Sequence, residues 1–207
     1  MRVIAGKYKG RKLYAPEGYD IRPTSDKVKE AVFSMLGPYI EGAEVIDLFA
    51  GTGSMGIEAL SRGAASCLFC DVSPKSIALI KSNLKTVGTG QEAIVFAGDF
   101  RRVLQHIEGS GANVRHRNSA ISEDPPEDSA EDFREGRKRR IIFADPPYDS
   151  EYYDVLMQTV HRCGIITECD LIILESDTHV PPGDYAGFEK IKSKKYGRTG
   201  IDIYSKK

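Results

Sequence analysis

Val45-Ile-Asp47-Leu-Phe49-Ala-Gly51-Thr-Gly53-Ser-Met-Gly56 decides how the rest of this chain is read. A short apolar run ends in three glycines spaced G-x-G-x-x-G, which is the pattern of a buried strand turning tightly into a helix. Glycine at such a turn lets the backbone approach a nucleoside closely. The helix pattern runs on to about Arg62 and stops at Gly63.

Working outward, the same alternation repeats. Ser66–Asp71 reads as a second strand, and Ser73-Pro74 supplies an N-cap and an N1 proline for a helix with Ile77, Ile80 and Leu84 on one face. Ala93–Ala97, Arg140–Asp145 and Leu171–Glu175 are further strands, with helices over Phe100–Ile107 and around Val155, Leu156 and Val160. Phe188–Lys195 and Ile201–Tyr204 read as a closing strand pair. Upstream, Val28, Ala31, Val32, Met35 and Leu36 share a helical face, with Thr24 or Ser25 as cap and Gly37-Pro38 as stop. Before that, Arg2–Tyr14 reads as a small β-hairpin with a basic tip. Strands alternating with helices imply an α/β fold with a mainly parallel sheet, helices on both faces and an antiparallel hairpin at one edge.

Length, at 207 residues, suits one domain with a small appendage. The expected division is residues 1–24 as basic hairpin and loop, and 25–207 as the main domain. An insertion over 109–138 breaks the pattern, with the acidic run 122–136 at its centre. It has too few apolar groups to offset its ordering entropy and is expected to be disordered. No apolar run approaches the roughly 20 residues that span a bilayer, and the N-terminus does not read as a signal peptide, so a cytoplasmic location is expected. The four cysteines read as buried free thiols; Cys67 and Cys70 have C-x-x-C spacing but sit within an apolar strand. No metal site is expected. Residues 1–30 carry eight Lys/Arg against four acids, and 189–207 seven against two, which leaves the middle at a net −10. Two basic ends suit a polyanion lying on one surface if the ends converge.

Chemistry gathers where the strands end. Open α/β sheets bind ligands beyond the carboxyl ends of their strands. Gly51, Gly53 and Asp71 alone fit an NAD-dependent oxidoreductase as well as a methyltransferase. Asp47 inside the first strand favours the second, because a carboxylate there repels a pyrophosphate but suits an amino group and a sulfonium. Asp99 offers an acceptor to an adenine amine, with Phe100 as an aromatic face beside it. Asp145-Pro146-Pro147-Tyr148 follows the fourth strand directly. Asp145 and a carbonyl of the Pro-Pro turn can accept the two N–H bonds of an exocyclic base amine, turning its lone pair towards a methyl donor. The prolines stiffen the loop, and Tyr148 can stack on the base. These residues support an amine methyltransferase acting on a flat base.

The chain resembles the bacterial 16S ribosomal RNA guanine-N2 methyltransferases over nearly its whole length. The resemblance rests on Arg2–Gly6 with Gly10-Arg11, Arg22-Pro23-Thr24-Ser-Asp26, Asp47–Gly53, Gly56–Ala64, Asp145–Tyr148, Glu175 and Lys195-Tyr-Gly197-x-Thr199. It implies a seven-stranded, Rossmann-like class I methyltransferase fold and S-adenosylmethionine as donor. One guanine of small-subunit rRNA in an assembled or assembling particle is the implied acceptor. On this reading Asp145, Pro146, Pro147 and Tyr148 are catalytic. Thr24, Asp47, Phe49, Gly51, Gly53, Asp71, Asp99, Phe100 and Asp145 hold the cofactor. Lys7, Lys9, Arg11, Lys12, Arg22, Lys195, Tyr196 and Arg198 meet RNA, and the protein is expected to act as a monomer. A DNA or RNA adenine-N6 methyltransferase uses similar chemistry and stays open on the residues alone, as does the oxidoreductase.

Overall fold

A computed structural model describes residues 1–15, 25–109, 138–147 and 150–207. The insertion expected over 109–138, together with Arg22, Thr24 and Tyr148, falls almost wholly or wholly outside them.

Seven strands form one sheet in the order β3-β2-β1-β4-β5-β7-β6. They are β1 (Glu44–Leu48), β2 (Ser66–Asp71), β3 (Ala93–Ala97), β4 (Arg140–Ala144), β5 (Leu171–Asp177), β6 (Phe188–Tyr196) and β7 (Thr199–Lys206). The first five are parallel, β7 runs antiparallel to β5, and β6 pairs antiparallel with β7 at the edge. Strand β1 is buried at all five positions, as expected for a central parallel strand covered on both faces. The terminal pair is longer than the apolar pattern implied, because β7 pairs with β5 as far as Asp177↔Thr199.

The helices are α1 (Asp26–Leu36), α2 (Ser54–Ser61), α3 (Pro74–Val87), α4 (Phe100–Gly109) and α5 (Ser150–Cys163). Ser25 caps α1 by accepting the Val28 N–H, and Ser73 caps α3 by accepting that of Ser76. Helices α1, α2 and α3 cover one face of the sheet, over Val45, Cys67, Phe69, Phe143, Ile173, Ile201 and Ile203. Helices α4 and α5 cover the other, over Ile46, Leu48, Leu68, Ile142, Ile172, Leu174 and Tyr204. Alternation along each strand divides the two cores. Phe33 of α1 meets Phe143 at a ring distance of 5.6 Å, which fixes α1 above β4.

The N-terminal segment folds back on itself with one bridge, Arg2↔Lys12, rather than a full two-stranded ladder. Val3, Tyr8 and Leu13 are buried in the α1–α3 core. Its backbone is held by α2: the Glu58 carboxylate accepts the Ile4 and Ala5 N–H groups at 2.8 and 3.0 Å, and Ser61 Oγ accepts that of Tyr8 at 2.9 Å. Glu58 is fully buried and compensated by Arg62 at 2.8 Å and Lys29 at 3.6 Å. Burial without partners would make such a carboxylate prohibitively costly. Cys67, Cys70 and Cys163 are buried, but Cys169 is exposed, correcting its expected burial; it lies in the turn before β5 and not on the apolar face of a helix.

Candidate active site

The sheet order reverses between β1, which leads out towards β2 and β3, and β4, which leads the other way. A cleft opens there at the carboxyl ends of β1, β4 and β5. Its walls are Asp47, the loop Phe49–Thr52, Asp145, Glu175 and the apolar side chains of Val32, Phe143, Ile173 and Ile201. Three carboxylates line it, and among the described residues no Lys, Arg or His does.

Asp47 is the deepest of the acids, 4% exposed, and accepts the Gly56 N–H at 2.9 Å. Burial pushes its carboxyl up to about 8, with the Gly56 bond pulling it down and the nearby Asp71 charge pushing it up. The start of α2 is thereby tied to the end of β1. Gly56 permits this closeness, since a Cβ there would stand 2.3 Å from the Phe69 ring and 2.5 Å from Cys67 Sγ.

Phe49 leaves the strand, with φ +60°, the sole non-glycine residue of positive φ among the described residues. Such a conformation costs on the order of 1–3 kcal/mol and persists only when packing imposes it. Here the ring is held against Phe100 at 5.2 Å and edge-on to Tyr152 at 6.4 Å. Phe100 itself is 3% exposed, because the apolar face of α4 carries it into the core with Val103, Leu104 and Ile107. The aromatic face offered to the cleft is that of Phe49, and the expected Phe100 face is corrected to a buried support behind it.

The glycine loop is pinned from three sides. Ala50 N–H continues the ladder to Cys70 at 2.9 Å, and Gly53 N–H closes the turn on Ala50 at 2.7 Å. Asp71 accepts the Gly51 N–H and, through its other oxygen, the Ser73 N–H, both at 2.8 Å. Gly51 and Gly53 have φ of +55° and +75°, which side-chain-bearing residues rarely adopt. The third tie was not anticipated from sequence. Asn83 of α3, fully buried, donates to the Thr52 carbonyl at 2.9 Å and pairs with both backbone groups of Tyr14. Its signal in the sequence is an amide standing between Ile80, Leu84 and Val87 on an otherwise apolar helix face.

Asp71 and Asp99 stand farther along the same sheet edge, at the ends of β2 and just beyond β3, and not in the cleft wall. Asp99 accepts the Arg101 N–H at 2.8 Å and pairs with its guanidinium at 2.9 Å, at the start of α4. Asp145 is half-buried directly after β4, Pro146 is buried and Pro147 exposed. Glu175 reaches the wall from the neighbouring β5.

The basic residues divide. Lys7 pairs with Glu92 at 3.1 Å, and the hydrogen bonds to Tyr8 and Glu92 raise the pKa of its ammonium. Arg11 donates to the Val87 carbonyl at the C-terminus of α3, where a cation is favoured. Lys9 and Lys12 are exposed and enter no ion pair among the described residues. Arg198 pairs with Asp177 at 3.1 Å, Tyr196 is half-buried against the α1-side core, and Lys195 is exposed on β6.

The family model described as "Conserved hypothetical protein 95" matches residues 1–127 and 100–205. The chain is 38% identical to "Putative rRNA methyltransferase YlbH" of Bacillus subtilis, over the full length of both. It is 26% identical to "Ribosomal RNA small subunit methyltransferase D" of Escherichia coli, over 100% of this chain and 90% of that one. The solved structure of "Putative methyltransferase yhhF from Escherichia coli" superposes with a TM-score of 0.74 at 26% identity, covering 100% of this chain and 98% of its own. A family model matched along nearly the whole chain and a relative 38% identical over its full length place this chain in the family described as Conserved hypothetical protein 95.

Proposed function

We propose that the protein transfers a methyl group from S-adenosylmethionine to the exocyclic N2 amine of a guanine in small-subunit rRNA. The observation that carries this reading is the composition of the cleft: Asp47, Asp145 and Glu175 with no cationic side chain among the described residues. A nucleotide diphosphate would meet the Asp145 and Glu175 carboxylates with no cation among the described lining residues to offset its charge, whereas a cationic amino acid carrying a sulfonium is attracted and favours the ionised form of Asp47. The oxidoreductase reading loses its support on that ground. The relatives are named for rRNA, not DNA, which favours the RNA acceptor.

The residues present fit the donor. Asp47 and the loop Phe49–Gly53 would hold its amino-acid and nucleoside parts, with Asp71 and Asp99 farther along the edge accepting from ribose and adenine. When bound, S-adenosylmethionine supplies a methyl activated by a cationic sulfur. Asp145 and the Pro146 carbonyl accept the N–H bonds of the target amine and hold its lone pair on line. The amine's surplus proton passes to Asp145 or to solvent. Tyr148 stacks on a base splayed from the RNA, as base-modifying enzymes require. Lys9 and Lys12 of the hairpin meet phosphates, positioning the RNA without reading its sequence. We infer a monomer acting in the cytoplasm on assembled or assembling particles.

The test is methyl transfer from labelled S-adenosylmethionine to unmodified small-subunit particles, followed by digestion to nucleosides. N2-methylguanine is expected; N6-methyladenine, or no transfer with tight NAD binding, would overturn the assignment.

A further inference from the structure

Resting on that reading, we infer that Lys192 and Lys194 of β6 form a second phosphate-binding row, so that RNA crosses the sheet on its α1 face. Directly opposed residues of an antiparallel pair share a face of the sheet. The register pairs Glu175 with Ile201 and Ile201 with Lys194. It likewise pairs Ile173 with Ile203 and Ile203 with Lys192. Glu175, Ile173 and Ile201 are in the cleft wall, so both rows run from the cleft outward to the open edge of the sheet. Lys194 lies two strands from Glu175, about 10 Å at the usual spacing of strands.

The face is the one that matters. Ile201 and Ile203 belong to the core beneath α1, together with Val3, Tyr8 and Leu13 of the N-terminal segment. That segment docks against α2 and against Val87 and Glu92, towards the β3 edge, while β6 is the opposite edge. Exposed lysines thus stand towards both edges of the sheet on one face: Lys9 and Lys12 towards the β3 edge, Lys192 and Lys194 on the other, where the rows from the cleft wall end. Neither Lys192 nor Lys194 enters an ion pair among the described residues, whereas Lys190, beyond the bulge, pairs with Asp202 and faces Tyr204 in the other core. Lysines on an edge strand also discourage edge-to-edge pairing. That role is indifferent to the face on which they stand, and phosphate binding is not.

The experiment uses the full-length protein and small-subunit particles lacking the methyl group. Lys192→Gln/Lys194→Gln is expected to raise KM for particles about ten-fold with kcat and S-adenosylmethionine affinity unchanged. The slope of log binding against log salt should fall by about one to two, as for the loss of two phosphate contacts. Lys192→Arg/Lys194→Arg should keep the wild-type values. Arg162→Glu, which changes net charge equally on the exposed surface of α5, should leave KM within about two-fold. A glutamine pair with wild-type KM and salt slope overturns the inference, as does an equal effect from Arg162→Glu or a glutamine pair that merely self-associates. Wild-type protein that methylates no particle would instead sink the proposed function itself.

Discussion

Asn83 holds Thr52 in place: its buried side-chain amide donates to the Thr52 carbonyl at 2.9 Å while the same side chain pairs with the backbone of Tyr14. The glycine loop and the end of the N-terminal segment are thereby locked to one turn of α3. Asn83→Leu keeps the volume but strands three backbone groups, each worth about 1–3 kcal/mol when left unsatisfied in a buried place. Urea denaturation should show a loss on the order of 3 kcal/mol, and calorimetric titration a weaker S-adenosylmethionine affinity. Unchanged affinity would show that the loop does not depend on this tie.

Asp47 makes stability depend on pH in an unusual direction. Its folded carboxyl titrates at about 8, above the ordinary value near 3.9 of an unfolded chain. Between those values the folded state binds the proton more tightly, so this group's effect on stability worsens as pH rises from about 4 to 8 and then levels off. Asp47→Asn retains an acceptor for Gly56 and removes the titration. The variant should gain on the wild type by a few kcal/mol at most between pH 5 and pH 8, on the order set by the linkage. Parallel denaturation curves at the two pH values for both proteins check this.

Asp145 stands just beyond the carboxyl end of β4, half-buried at the cleft wall. Asp145→Ala should lower methyl transfer by about 10² to 10³-fold, the cost of removing one well-placed polar group aimed at a reacting centre. Cofactor affinity should change no more than a few-fold. Single-turnover transfer and calorimetry on the same preparation separate the two, and near-normal turnover would remove Asp145 from the mechanism.

Gly6 sits where the N-terminal segment touches α2. Its φ is +80°, and a Cβ would stand 1.7 Å from the Ser61 carbonyl oxygen, which accepts the Lys7 N–H. Gly6→Ala must lift the segment from α2. A loss on the order of 3 kcal/mol is expected from strain and overpacking together, along with faster proteolysis near the N-terminus. A raised KM for particles should accompany both.

Much of the architecture is legible in the chain. Val45–Leu48, Ser66–Asp71 and Leu171–Leu174 are short apolar runs between helical periods, and a chain that alternates in this way buries both faces only as a parallel sheet between helices. The site was legible where chemistry needs a special residue type: glycine at positive φ, acids at strand ends, proline in a stiff turn. Phe49 and Phe100 were not separable, since two aromatics beside a loop look alike until packing buries one. Asn83 was missed because its partners are backbone groups 31 and 69 residues distant along the chain.

The asymmetry of the cleft returns to that first stretch, Val45 to Gly56. By itself the sequence determined a strand, a glycine turn and an acid at the strand's end, because local sterics and apolar periodicity act over a few residues. Only the tertiary structure decided that Asp47, Asp145 and Glu175 share one wall without a cation among the described residues, and that Lys192 and Lys194 stand on the face of the sheet that carries Ile173, Glu175 and Ile201. Those relations depend on strand order and register, which are set by long-range pairing and by how each face of the sheet is buried.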